Sequence, residues 1–276
     1  MTSIGSPALP DSTLARGEVA IVGAGPGDPG LLTLRALSLM EQADALVFDR
    51  LVSSGVLEMV PARARRYYAC KSSHCRGAGQ DETNALMVRL AREGRRVVRL
   101  KGGDPYVFGR GGEEAEYLLE HGIDFRVVPG ITSAQGCAAW AGFPLTHRDH
   151  AQSVTFVTGH CRADGELVLN WSALAAGRQT LVFYMGLANA GVIAEQLQLH
   201  GLPADHPVAL IERGTTAEQR RVITSLGEVV SAIEREHLQP PTLIVVGEVV
   251  QLAEATSRTE QAESAPPEHE IQQVAL

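Results

Sequence analysis

Two observations predict an α/β protein: short runs rich in β-branched residues recur along the chain, and amphipathic segments of helical period fall between most of them. A third observation splits that pattern in two. The segment AGFPLTHRDHAQS, residues 141–153, breaks the rhythm with Pro144 and a dense polar run, and it reads as the link between two α/β domains of ordinary size.

Strands are expected at 18–22, 45–48, 96–100 and 125–128 in the first domain. In the second they fall at 153–158, 180–184, 208–211, 219–223 and 242–246. The helix at 31–42 follows from Leu31, Leu32, Leu34, Leu37, Leu39 and Met40, which cluster on one side of a helical turn. Further helices are expected at 83–93, 113–121, 132–141, 190–200 and 226–236; Gly94, Gly122, Gly142 and Gly201 stand where helix C-terminal glycines belong. The organisation is then a disordered N-terminal arm at 1–16, an N-terminal domain at 17–143, a linker at 144–152, a C-terminal domain at 153–253 and a disordered tail at 254–276. Trp140 and Trp171 read as packing residues.

Hydrophobic residues make up 45% of the 276, and 24 Lys+Arg against 32 Asp+Glu give a net charge of -8. This excludes disorder throughout and argues against a protein that coats nucleic acid. No stretch approaches the ~20 apolar residues of a membrane-spanning helix. The N-terminal MTSIGSPALPDSTLARGE lacks the basic-then-apolar profile of a secretory signal, so a cytoplasmic protein without a membrane partner is expected. Cys70, Cys75, Cys137 and Cys161 are too few for a disulfide scaffold and are expected as thiols. Between Arg63 and Lys101, eleven basic and three acidic residues give +8, a local field suited to a polyanionic small molecule. Arg89 to Arg96 within it read as a solvated helix face.

Three glycine turns follow strands. The first, Gly23 to Gly30 (GAGPGDPG), has the strand, turn and helix order that lets a ligand approach the backbone. A dinucleotide turn is its rival, with Asp49 as the distal acid. That match fails because Asp28 replaces the third glycine, and Pro26 and Pro29 remove amide donors. In the second turn, KGGDPYVFGRGGEE, Gly102 and Gly103 open backbone space at a strand end, Asp104 offers a carboxylate, and Arg110 follows. The third passes Pro129 and Gly130 to Thr132 and Ser133; either hydroxyl can cap the next helix or touch a ligand, and one is expected to cap.

In chain order, VAIVGAGPGDPGLLTLRA, VFDRLV, RLKGGDPYVFGRGGEEAE, VVPGITSA, PLTHRD, VTFVTGH, FYMG and PPTLIVVGEVV resemble the motifs of the tetrapyrrole methylases. The likeness covers about 17–251, is nearest to members that methylate uroporphyrinogen III, and includes no added dehydrogenase or chelatase domain. It implies the two-domain class III methyltransferase fold, with S-adenosylmethionine bound folded in the interdomain cleft, S-adenosylhomocysteine as product, no metal, and a homodimer. The implied reaction places methyl groups on C2 and C7 of uroporphyrinogen III to give precorrin-2, for sirohaem, cobalamin or haem d1.

The resemblance also implies residue roles. Pro26 shapes the cleft floor within the cofactor set; Gly102, Gly103, Asp104, Thr132 and Ser133 contact the methionine part. Met185, Gly214 and Thr242 surround the adenosyl part, the last two through backbone, and Met185 also borders the substrate. A substrate with eight carboxylates calls for arginine anchors, here Arg50, Arg110 and Arg148. Arg110 is the expected catalytic residue; a guanidinium keeps its proton, so it positions the ring and stabilises developing charge. Glu113 is expected to orient Arg110, His160 to bind a carboxylate or relay a proton, and Asp49 to hold Arg50.

Other readings are weaker. Cys70, His74 and Cys75 suggest zinc, but the spacing is not that of a finger pair and no second pair follows. The rival functions are a methylase acting on a later corrin precursor or a diphthamide-type substrate, a nucleotide-linked oxidoreductase, and a non-catalytic binding module. The basic stretch, the altered first turn and the dense second loop disfavour them in that order.

Overall fold

The computed structural model describes residues 13–69, 78–160 and 166–253. Its first half runs β1 (Val19–Gly23), α1 (Leu34–Gln42), β2 (Ala45–Phe48), α2 (Ser54–Glu58), β3 (Arg65–Tyr68), α3 (Ala78–Arg92), β4 (Val97–Lys101), α4 (Gly111–Glu120), β5 (Phe125–Val128) and α5 (Ser133–Trp140). The second runs β6 (Ser153–Thr158), α6 (Trp171–Ala175), β7 (Gln179–Tyr184), α7 (Ala190–Leu199), β8 (Pro207–Glu212), β9 (Arg220–Ser225), α8 (Val229–Arg235) and β10 (Thr242–Val246).

The first sheet has the order β3-β2-β4-β1-β5 and is wholly parallel. Its central strands are buried on both faces, as parallel strands covered by helices must be. Ala36, Leu39 and Met40 of α1 pack over Ala20 and Val22 on one face. Ala115 and Leu118 of α4, with Met87 of α3, pack over Val19 and Ile21 on the other. The connections leaving the adjacent strands β1 and β4 thus depart on opposite faces, which opens a crevice at the strand C-termini.

The second sheet, β6-β7-β10-β8-β9, is mixed: β6 and β7 are parallel, and the other pairs are antiparallel. One face is covered by α6, α7 and α8. The other is covered by α5, whose Ala134, Cys137 and Ala138 pack with Val182, Ala209, Ile211 and Val245. The helix assigned to the first domain therefore belongs to the core of the second sheet, and the boundary drawn at 143 cuts through a packed unit.

Some expected bounds shift for local reasons. Helix 31–42 begins at Leu34, because Asp28 caps a 3-10 turn at Pro29–Leu31 and Thr33 accepts the Ala36 amide at 3.0 Å. Gly94, Gly122, Gly142 and Gly201 all adopt positive φ, as helix-terminating glycines do. The arm expected at 1–16 is too long: Leu14 is buried in the first core and its amide is held by Gln42. Residues 1–12 and 254–276 lie outside the described residues, as do Cys70, His74, Cys75 and Cys161. Trp171 packs as expected, but Trp140 is half exposed. β3, α2 and α6 escaped the sequence reading, since RRYY is a mostly exposed edge strand and five-residue helices show no period.

Candidate active site between the two sheets

The three glycine turns meet at the C-terminal ends of β1, β4 and β5. Gly25 and Gly103 form a two-bond bridge at 2.7 and 3.2 Å. A Cβ on Gly23 would lie 2.5 Å from the Gly130 nitrogen and 2.8 Å from the Gly103 oxygen, so only glycine allows these chains to touch. Asp104 ties the junction together, accepting the Gly130 amide on one oxygen at 3.0 Å and the Tyr106 amide on the other at 2.8 Å. A carboxylate has lone pairs beyond these two. With Thr132 and Ser133 beside it, the junction presents a carboxylate, two hydroxyls and backbone groups, a donor and acceptor set that fits the ammonium and carboxylate of an amino-acid moiety.

The second sheet closes over this junction through its own loops. Tyr184, the last residue of β7, sets its phenol oxygen 2.6 Å from the Thr132 hydroxyl and accepts the Ala134 amide at 2.9 Å. Neither Thr132 nor Ser133 caps α5 as expected; the cap is this phenol from the other half. The ring also contacts Phe108 of the β4 loop, with centroids 4.9 Å apart. After β8, the Thr215 hydroxyl accepts the Asp28 amide at 3.2 Å. Gly214 has no room for a Cβ because the Cys137 sulfur occupies the position, which is why this chain carries glycine there. Pro26 packs against Gly136 of α5, where a Cβ would lie 2.5 Å from its ring.

Backbone strain concentrates in these loops. Phe108, Arg110, Met185, Arg213 and Thr215 all have positive φ, a state that non-glycine residues adopt at a cost and mostly at ligand sites. Met185 follows β7 and is about half exposed, so it is not a core residue. Thr242 is buried, its hydroxyl donates to the Gln239 carbonyl at 2.6 Å, and it stands opposite Glu212 where β10 pairs with β8.

On the first sheet, Arg110 precedes α4 and is paired bidentately with Glu113, Nε to Oε1 at 2.9 Å and Nη2 to Oε2 at 2.6 Å. The Glu113 carboxylate raises the already high pKa of this guanidinium. Leu51 abuts Gly102, which brings the Arg50 loop beside the β4 turn. Arg50 is exposed, and Asp49 does not hold it: Asp49 accepts the Leu51 amide at 3.0 Å and faces Arg99 at 3.6 Å. Exposed His160 follows β6, where Gly159 packs against Gly186 of the Met185 loop.

Arg148 departs from this grouping. Arg178 binds the carbonyl of neighbouring Asp149 and Glu248 faces His150, at the end of the second sheet where β6 and β7 begin. A six-residue strand, on the order of 20 Å, separates Arg148 from His160. The basic stretch is also less available than its count suggested: Arg99 and Lys101 are buried, and Arg96 is bound to Asp44. The dinucleotide reading fails too, since Asp28 and Thr33 occupy the amides such a turn would offer to a phosphate. Sequence reasoning missed Tyr184, Thr215 and the buried Glu114; Tyr184 lay in view as the neighbour of Met185 in FYMG.

Fold and site together define an α/β enzyme that takes its ligand between the loops of two unlike sheets, at a junction made of glycine backbone. The chain belongs to the Tetrapyrrole (Corrin/Porphyrin) Methylases, whose family model matches residues 18–230. It is 55% identical over 251 residues to a siroheme synthase of Stutzerimonas stutzeri, covering 91% of this chain and 54% of that protein. It is 56% identical over 239 residues to a siroheme synthase of Pseudomonas aeruginosa, covering 87% of this chain and 51% of that protein. The chain thus spans about half the length of the curated relatives it matches. Among solved structures, a uroporphyrin-III C-methyl transferase from Thermus thermophilus complexed with S-adenyl homocysteine superposes with a TM-score of 0.74 at 40% identity, over 85% of this chain and 99% of that one. A cobalt precorrin-4 methyltransferase superposes at 0.76 with 26% identity, over 88% and 99%. Among the described residues, no helix is long and apolar enough to cross a membrane.

Proposed function

We propose that this chain methylates uroporphyrinogen III at C2 and C7, giving precorrin-2 and two molecules of S-adenosylhomocysteine. The observation that carries the reading is the glycine junction flanked by the Arg110–Glu113 pair, in a chain 40% identical to a uroporphyrin-III C-methyl transferase. When bound, S-adenosylmethionine supplies a sulfonium methyl group as the electrophile.

The chain's own residues then have three tasks. Gly102, Gly103, Asp104, Thr132 and Ser133 hold the amino-acid end of the methyl donor, while Pro26 and the backbone of Gly214 and Thr242 border the rest of the cleft. Arg50, Arg110 and His160 face the carboxylates of the macrocycle, with Met185 against its ring; Arg148 stands outside this set in a single chain. Arg110 is held in one orientation by Glu113 and stays protonated, so it positions the substrate and stabilises negative charge there, and does not act as a base. Alignment and exclusion of water account for most of the rate when the carbon nucleophile is already electron-rich. The working protein is read as a cytoplasmic homodimer, serving sirohaem, cobalamin or haem d1 synthesis.

The test is mass spectrometry of the anaerobic reaction of purified protein with uroporphyrinogen III and S-adenosylmethionine. A product heavier by two methyl groups supports the reading; an unchanged mass with S-adenosylhomocysteine still bound redirects it to later corrinoid precursors. Arg110→Lys, which loses the planar fork, should lower kcat/KM at least about tenfold with S-adenosylhomocysteine affinity unchanged.

A further inference from the structure

Arg110 and Glu113 lie at the surface, and their own pairing does not fix where the first turn of α4 sits relative to the glycine junction. What fixes it lies beneath. Glu114, the next residue of α4, is wholly buried, and its Oε1 accepts three hydrogen bonds: from Arg99 Nε at 3.0 Å, Lys101 Nζ at 2.9 Å and Gln80 Nε2 at 3.2 Å. Arg99 and Lys101 alternate along β4 and are themselves buried; Gln80 belongs to α3 and also donates to Asn84 at 3.0 Å. Oε2 of Glu114 has no hydrogen-bond partner among the described residues.

This arrangement is costly to build. Burial pushes the Lys101 ammonium pKa down, with the Arg99 charge adding to the effect and Glu114 opposing it. A hydrophobic cluster of the same volume would be at least as stable in most folds, so a stability role does not by itself account for it. Its placement is informative. Lys101 is followed directly by Gly102, Gly103 and Asp104, and Glu114 lies four residues after Arg110 and one after Glu113.

We propose that Glu114 is a positioning residue. Through Lys101 it anchors the turn that holds the methyl donor, and through the first turn of α4 it anchors the Arg110–Glu113 pair. One buried oxygen therefore sets the spacing between the donor side of the site and the substrate side. The proposal rests on the functional reading above and deepens it.

The test uses the full chain with Glu114→Gln, Arg110→Lys and the two combined, each checked by thermal unfolding. S-adenosylhomocysteine affinity is measured by calorimetry, and kcat and KM by turnover of uroporphyrinogen III. Small misplacements of reacting groups cost up to about a hundredfold, so Glu114→Gln should lower kcat about 10- to 100-fold with KM within about threefold of wild type. S-adenosylhomocysteine should bind about 3- to 10-fold more weakly. The double variant should be little slower than Arg110→Lys, because residues acting as a unit do not give multiplying losses. A folded Glu114→Gln protein with normal kcat and normal affinity overturns the proposal, and so do losses that multiply in the double variant. Should Glu114→Gln fail to fold, Lys101→Met leaves Arg99 paired with Glu114 and must show the same fall in kcat and affinity. Should the wild-type chain methylate nothing, the functional reading fails, and the calorimetric comparison alone decides: weaker binding supports the anchoring role, unchanged binding overturns it.

Discussion

Replacing Tyr184 with Phe removes one oxygen atom from the seam between the two sheets and leaves the ring in place. The ring keeps its contacts with Phe108 and Phe156, at centroid separations of 4.9 and 5.8 Å. The Ala134 amide loses its acceptor, and the Thr132 hydroxyl loses its partner. Ala134 is fully buried in the core shared by α5 and the second sheet. An orphaned buried donor costs about 1–3 kcal/mol, and about 2 kcal/mol is a fair central value with the Thr132 bond included. At about 2–4 °C per kcal/mol for a chain of this size, Tm falls by about 4–8 °C. Circular dichroism melts of the two proteins at neutral pH check this. Calorimetry should also find weaker S-adenosylhomocysteine binding, because Thr132 and Ser133 sit on the turn that loses its cap. A Tm within about 1 °C of wild type would refute the reasoning, since the phenol would then not be what satisfies the start of α5.

Gly130→Ala places a methyl group on the Gly103 carbonyl and 2.8 Å from the Gly23 Cα, so the three turns cannot close. Calorimetry should find S-adenosylhomocysteine binding abolished, even in protein that still shows the wild-type helical signal. Asp44, whose pKa is held down to about 2 from 3.8 chiefly by the Arg96 side chain, contributes stability that is present above 3.8 and lost as the pH falls towards 2. Melts across that window should show a smaller acid loss for Asp44→Asn than for wild type. Burial pushes the Cys137 thiol up to about 12, so in native protein at mildly alkaline pH its peptide should stay unalkylated, and urea should expose it. Peptide mass mapping distinguishes it from the other three cysteines.

The parts legible in the sequence were those that local chemistry dictates. The alternation of strand and helix follows from periodicity, and residues 45–48, 125–128, 153–158 and 242–246 form strands over just those bounds. The three glycine turns were legible because a chain tolerates so many glycines only where backbones or ligands come close. The Arg110 and Glu113 pairing was legible through the motif resemblance and not through helical period, because Arg110 stands at positive φ just before α4.

Tertiary structure decided what lies across those local units. Arg99 and Lys101 read as part of a basic surface, since a strand pattern shows which face a residue takes but not whether a helix covers that face. α3 and α4 cover it, and two cations that would otherwise be solvated became the buried partners of Glu114. Only packing could show that α5 belongs to the second sheet, that Tyr184 caps it from 50 residues away, and that Cys137 reserves the place of a Cβ at Gly214. The same packing removed Arg148 from the cleft, because the direction of β6 carries the linker to the far end of its sheet. The sequence by itself determined most of the elements and the three glycine turns; which faces met, and so which charges were buried and which stayed free for a ligand, followed from long-range packing that no local pattern encodes.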